Sequence, residues 1–195
     1  ITTAPADRAQ LLDMAAISAT ATATPDAERY AQAAVDAYRE IGDVAAETAA
    51  TVRLGRVLLD ASEIIQAIEV LENVIPAAET LEDPDILALA LANLSRGYMR
   101  ESRRDEAIAA ADRALGIAEL RNREDIVAEA LVNKAATLSQ LGRRRESTAL
   151  HAAALEMVLR TGNRWLELRA RNNYASAVID DDPRRAAELM SRSEE

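Results

Sequence analysis

Apolar residues recur at helical spacing along almost the whole chain, and the pattern repeats every 40 residues. Leu91, Leu94 and Tyr98 stand at i, i+3 and i+7, with the small Ser95 between them. This spacing places all four side chains on one face of an α-helix. Related patterns lie one and two 40-residue steps away in both directions. Five copies with no net insertion predict a stack of repeats, each burying its apolar face against the next.

Caps and helix breakers divide the pattern into helix pairs. Thr24 and Ser62 are expected to be N-caps, and Gly42 and Gly162 are expected to be left-handed C-terminal residues. The predicted helices cover about 5–20, 25–41, 44–60, 63–80, 84–101, 104–120, 124–141 and 144–161, and two more begin near 164 and 183. We predict one repeat domain over 1–195, with repeats at about 4–42, 43–82, 83–122, 123–162 and an incomplete one at 163–195. Because the chain begins with isoleucine, we expect it to be part of a longer protein.

The composition narrows the function classes. Aromatic residues make up 3% and phenylalanine is absent, so the core must be built from Ala, Leu, Ile and Val. The net charge of -10 argues against direct nucleic-acid contact, which needs a positive footprint. No cysteine is present, which excludes disulfides, thiolate nucleophiles and zinc-cysteine sites. No apolar run reaches the roughly 18–20 residues of a membrane span. These features predict a cytoplasmic protein.

The second helix of each pair carries two small residues seven positions apart: Ala27 and Ala34, Ala67 and Val74, Ala107 and Ala114, Ser147 and Ala154. With the first-helix pattern, this resembles the tetratricopeptide repeat (TPR). The resemblance implies an all-α, right-handed α-solenoid of about five antiparallel helix pairs. The 40-residue unit exceeds the usual ~34, and the usual first-helix tryptophan and closing proline are missing. Units of this length resemble the repeat arms of bacterial multidomain regulators: maltose-activator-like transcription factors, signalling ATPases and class III nucleotide cyclases.

A polar stripe on the first helices is the candidate binding site. The resemblance implies that this face lines a concave groove. Asparagine can hydrogen-bond an extended peptide backbone, and arginine can form a bidentate pair with a carboxylate. The stripe therefore predicts a protein or peptide partner that is acidic or has a free C-terminus. Its residues are Arg53, Arg56, Asn93, Arg96, Arg100, Asn133, Gln140, Arg169, Asn172 and Asn173.

Other interpretations of the same features stay open. The stripe could be ordinary solvated surface, or the repeats could sense a small molecule. The chain could also be a self-association scaffold, forming a homodimer through an apolar end around Leu189 and Met190. Arginines recur in the turns at 103–104, 143–145 and 184–185. They form either a positive strip for an acidic partner or a phosphate, or a solubilising turn.

The sequence offers no set of catalytic or metal-binding residues. His151 is the only histidine, and Ser147 lies one helical turn before it. A catalytic triad also needs an orienting acid and an oxyanion hole, and a metal site needs further ligands. His151 is therefore expected in the seam between helices, and Trp165 is expected to be a packing plug. No phosphate-binding loop is present, so we predict no enzyme activity and no cofactor.

Overall fold

The computed structural model describes residues 4–22 and 24–191 of the chain. This part of the chain forms ten α-helices and no β-strand. The helix boundaries agree with the predicted ones to within about two residues. The helices are α1 (Pro5–Ala21), α2 (Ala27–Ile41), α3 (Val44–Asp60), α4 (Ile64–Thr80), α5 (Pro84–Arg100), α6 (Arg104–Leu120), α7 (Glu124–Gln140), α8 (Arg144–Thr161), α9 (Arg164–Val178) and α10 (Pro183–Ser191).

Successive helices pack against one another as pairs, which confirms the predicted all-α solenoid of helix pairs. The chain divides into two compact units, Ile1–Gly97 and Tyr98–Glu195, and the division falls within α5. The predicted small-residue stripe is buried in both units. In the second helices Ala34, Ala67, Ala107 and Ala154 are fully buried. Small side chains at these positions let neighbouring helices approach closely.

Two glycines inside first helices mark the closest of these approaches. A Cβ on Gly55 of α3 would lie 2.5 Å from Cγ of Leu71, on the partner helix α4. A Cβ on Gly97 of α5 would lie 2.8 Å from Cγ1 of Ile68, on the preceding helix pair. Any larger residue would displace side chains in a close-packed core. Glycine is therefore required at both positions by packing, not by backbone conformation.

The turns repeat as regularly as the helices do. Ser62, Ser102 and Gly142 end the first helices at 40-residue spacing, and all three have a left-handed backbone. Gly42, Asn122 and Gly162 do the same between pairs. The assignment of Ser62 as an N-cap is therefore wrong, because this residue terminates α3 in the left-handed region.

The predicted cap of α2 is also wrong. Asp26 occupies the N-cap position and the helix begins at Ala27, two residues later than expected. The carbonyl of Thr24 accepts a hydrogen bond from the Ala27 amide, so Thr24 belongs to a turn before the helix.

The apolar end predicted around Leu189 and Met190 needs a correction. Leu189 is buried in a cluster with Tyr174, Val178 and Ala186 of the last helix pair. Only Met190 is exposed. The remaining residues of the predicted last helix, 192–195, lie outside the described residues.

Candidate functional site

The polar stripe of the first unit begins with a bidentate ion pair between neighbouring first helices. Arg53 of α3 donates from Nε and Nη2 to the two carboxylate oxygens of Asp13 on α1, each at 2.7 Å. The Arg53 side chain is 30% exposed and the Asp13 side chain 17% exposed. The two residues are one repeat apart in sequence. The pair therefore holds one face of the Arg53 guanidinium in place while leaving part of it accessible.

A second pair joins the next two first helices. Nη1 of Arg96 on α5 donates to Oδ1 of Asp60 at the end of α3, at 2.6 Å. The Arg96 side chain is only 7% exposed. Arg56 of α3 is half-buried, and Arg100 is exposed at the end of α5. The accessible arginines of this stripe are therefore Arg53, Arg56 and Arg100, and Arg96 mainly joins the helices.

Asn93, at the centre of the predicted stripe, is completely buried in α5. Neither its amide nitrogen nor its carbonyl oxygen has a hydrogen-bond partner. An unsatisfied buried amide is rare and destabilising. In this conformation, Asn93 cannot touch a ligand.

The stripe of the second unit is built around Arg169 of α9. Its Nη1 lies 3.2 Å from Oε1 of the buried Glu129 on α7, and its Nη2 donates to the side-chain oxygen of Asn133. Asn133 is fully buried. Arg169 also lies over the ring of Trp165, 4.8 Å from its centre. Asn133 therefore positions Arg169 from below.

The other predicted residues of this unit are more accessible. Asn172 and Asn173 are half-buried on α9, although the carbonyl oxygen of Asn172 is itself buried and has no hydrogen-bond partner. Gln140 is exposed at the end of α7. The expectation that Trp165 is a packing plug is wrong, since it is 39% exposed and its ring packs against a guanidinium.

Sequence reasoning missed the acidic members of both stripes. Asp13 and Glu129 each precede their arginine partner by 40 residues, and Asp60 precedes Arg96 by 36. Residues at these separations meet because neighbouring first helices lie side by side at nearly the repeat spacing. Opposite charges one repeat apart were the sequence signal that could have identified these pairs.

The arginines in the turns are largely matched by local acids. Arg143 pairs with Glu146 at 2.6 Å, and Arg144 contacts Asp181 at 3.2 Å. A hydrogen bond from Arg103 holds the pKa of Glu106 below its ordinary value. These contacts neutralise much of the row and favour the solubilising interpretation.

His151 lies in the helix seam, as predicted. Its ring is stacked on Tyr174 of α9, with 5.7 Å between the ring centres, and neither ring nitrogen has a hydrogen-bond partner. Burial lowers its pKa to about 4. Ser147 does not pair with it, because its hydroxyl donates to the Ala135 carbonyl at 2.9 Å. The two residues therefore show none of the geometry of a nucleophile and its base.

Two further searches cover the described residues only. No described helix is both long enough and apolar enough to span a membrane. Among the same residues, no three or more His, Cys, Asp or Glu side chains form a group that could hold a metal ion.

Comparison with solved structures identifies the fold. The chain aligns over its full length with aspartyl phosphate phosphatase F from Bacillus subtilis, with a TM-score of 0.79 and 15% identity. It aligns over 97% of its length with a signal transduction ATPase with numerous domains from Pyrococcus horikoshii, which has a tetratricopeptide repeat sensor, with a TM-score of 0.70 and 14% identity. A kinesin light chain-like protein from Podosopora anserina with nearly identical TPR-like repeats gives a TM-score of 0.66 at 16% identity.

The chain has a TPR-like repeat fold. It spans 51% of the phosphatase, 30% of the ATPase and 96% of the kinesin light chain-like protein. No protein-family model and no curated protein sequence matches the chain. Because all three identities are low, the similarity shows the fold alone.

The ion pair between Arg53 and Asp13 allows a direct test of how these TPR-like repeats are joined. We expect Arg53→Met to lower the free energy of unfolding by about 1 kcal/mol, because Asp13 stays mostly covered after losing its partner. Urea denaturation followed by circular dichroism measures the change. In a double-mutant cycle with Asp13→Asn, the two losses should not add. Additive losses would mean that the pair contributes no coupling between the first and second repeats.

Proposed function

We propose that this chain is a protein-interaction arm of a bacterial regulatory protein, and that an extended peptide segment of the partner binds along the first-helix face. The observation that carries the proposal is the ordered polar stripe on this face. Arg53 and Arg169 are each held by a residue of the neighbouring first helix. Fixed donors lose little conformational entropy when a ligand binds.

The chemistry of the accessible groups supports a peptide ligand. Asn173 and Gln140 can donate to and accept from a peptide backbone, and the exposed part of Arg53 can face an acidic side chain or a terminal carboxylate. Asn93 and Asn133 are fully buried, so we assign them a supporting role instead of direct ligand contact. The regulatory role is supported by the TPR sensor of the aligned ATPase.

The experiment starts from the isolated chain and a phage-displayed library of random peptides. Selected peptides are synthesised with a free or an amidated C-terminus, and their affinities are measured by fluorescence anisotropy. We expect Asn173→Ala and Gln140→Ala each to weaken binding by about 5-fold, the equivalent of one hydrogen bond of about 1 kcal/mol.

The matched control is Asn73→Ala, which removes an exposed asparagine from the second helix α4. Its affinity should equal that of the parent. Amidation should weaken binding only if a terminal carboxylate is recognised. Equal affinities for the parent, Asn173→Ala and Gln140→Ala would remove the first-helix face from the proposal.

A further inference from the structure

The outer face of α1 carries large apolar side chains that remain exposed. Leu11, Met14 and Ile17 stand at i, i+3 and i+6 and are 59%, 66% and 51% exposed. We call these three residues the α1 end face. One and two repeats later, the counterparts of Met14 are Leu54 and Leu94, which are only 4% and 3% exposed. The same helix positions are thus covered wherever a preceding helix pair is present.

The first unit shows which elements provide this cover. Gly97 is the counterpart of Ile17 two repeats on, and a Cβ at Gly97 would contact Ile68 of α4 and Leu59 of α3. Both residues belong to the preceding helix pair. The α1 end face therefore has the position and the apolar character of a surface that receives the end of another helix pair of this type.

The outer face of α9 shows the complementary surface. Leu59, which contacts the next pair in the first unit, has Ile179 as its counterpart three repeats on, and Ile179 is 56% exposed. Ala128 of α7 packs in one cluster with Leu166 of α9, and its counterpart one repeat on is Leu168, which is 43% exposed. We call Leu168 and Ile179 the α9 end face. It carries the positions that contact a following helix pair within each unit.

We propose that the α1 end face of one copy of this chain docks onto the α9 end face of a second copy, in the register used between successive repeats. The ends of repeat arrays are normally capped by polar surfaces, whereas both of these faces are apolar. The two surfaces differ, so the contact is heterologous and each copy keeps one unoccupied face. Association therefore continues head to tail beyond the dimer.

Sedimentation equilibrium of the 195-residue chain over a range of concentrations tests the proposal. The average mass should rise with concentration and pass that of a dimer. Met14→Glu and Ile179→Glu each place a charge in one end face, and each should raise the dissociation constant by roughly 30-fold or more. Both residues are about half exposed or more, so helix content and melting temperature should stay close to those of the parent.

Mixing the two variants distinguishes head-to-tail contact from a symmetric dimer. Met14→Glu keeps an intact α9 end face and Ile179→Glu keeps an intact α1 end face, so the mixture should form a 1:1 dimer and nothing larger. Leu120→Glu is the control, since Leu120 is an 86% exposed leucine outside both faces. A monomeric parent would overturn the proposal and leave the α1 end face to a different helical partner. Dimers of either end-face variant alone, or an equal loss in Leu120→Glu, would also overturn it.

Discussion

Lowering the pH from 6.5 to about 4 is expected to reduce the free energy of unfolding by about 3 kcal/mol through His151 alone. Burial lowers the pKa of His151 to about 4 in the folded chain, whereas its ordinary value is 6.5. Between these two values the unfolded chain binds the proton and the folded chain does not. Stability is therefore complete above pH 6.5 and is lost as the pH falls toward 4.

The surroundings of His151 explain why the folded state resists protonation. The ring is buried between α8 and α9, and neither nitrogen has a hydrogen-bond partner that could stabilise a charge. Tyr174 stacks on the imidazole, and the guanidinium of Arg185 lies 5.8 Å from the centre of the tyrosine ring. No acidic side chain is hydrogen-bonded to His151, so no ion pair offsets the desolvation of an imidazolium.

Urea denaturation at a series of pH values measures the effect, and His151→Leu provides the control. Leucine fits the equivalent position in the second repeat, where Leu71 is fully buried. Carboxylates titrate in both proteins, so the difference between the two curves isolates the histidine. The advantage of His151→Leu should grow by about 3 kcal/mol between pH 7.5 and pH 4. A constant difference across this range would show that His151 keeps an ordinary pKa.

Gly55→Ala is expected to lower the free energy of unfolding by about 2 kcal/mol, although alanine favours helices over glycine. The added methyl carbon would lie 2.5 Å from Cγ of Leu71 and 2.6 Å from its Cδ2. Leu71 is fully buried and cannot move aside without displacing its neighbours. The overpacking therefore outweighs the gain in helix propensity.

Gly116→Ala is the matched control for this substitution. Gly116 also lies within a helix, α6, but a Cβ there would meet no atom within 4 Å. This variant should gain about 0.5–1 kcal/mol from propensity alone. In a Leu71→Ala background the obstacle is absent, so Gly55→Ala should no longer destabilise the chain. Equal effects at Gly55 and Gly116, measured by urea denaturation, would show that the close approach between α3 and α4 is absent.

The helices were predictable because their signals are local. Pro84 and Pro183 mark the starts of α5 and α10, Gly42 and Gly162 end α2 and α8, and apolar spacing covers the intervals between them. Such signals act within one or two helical turns. The 40-residue repeat then implied that every segment packs in the same way, and the buried alanine stripe agrees with that prediction.

Local signals failed where several residue types can satisfy the same conformation. Ser62, Ser102 and Asn122 adopt the left-handed turn that Gly142 and Gly162 adopt elsewhere. Serine and asparagine are common at helix N-caps and turns as well, so their identity alone does not distinguish a cap from a terminator. Comparing each position with its counterpart 40 residues away would have resolved the ambiguity.

The candidate site was only partly predictable for a different reason. Sequence periodicity placed Asn93, Asn133 and Asn173 at equivalent positions, but the structure buries the first two completely and leaves the third half-exposed. Their accessibility depends on what the neighbouring helix supplies. For Asn133 that neighbour is Arg169, which also lies over Trp165 and is paired with Glu129.

Helix boundaries, repeat length and the small-residue stripe follow from the amino-acid sequence, because hydrophobic periodicity and helix termination act over a few neighbouring residues. The burial of the polar stripe and its pairing across helices were decided by the tertiary structure. These contacts join residues 36 to 40 positions apart, such as Asp60 with Arg96 and Asp13 with Arg53. Such pairs form only after neighbouring first helices pack side by side, and that packing decides which charges are neutralised and which remain accessible to a partner.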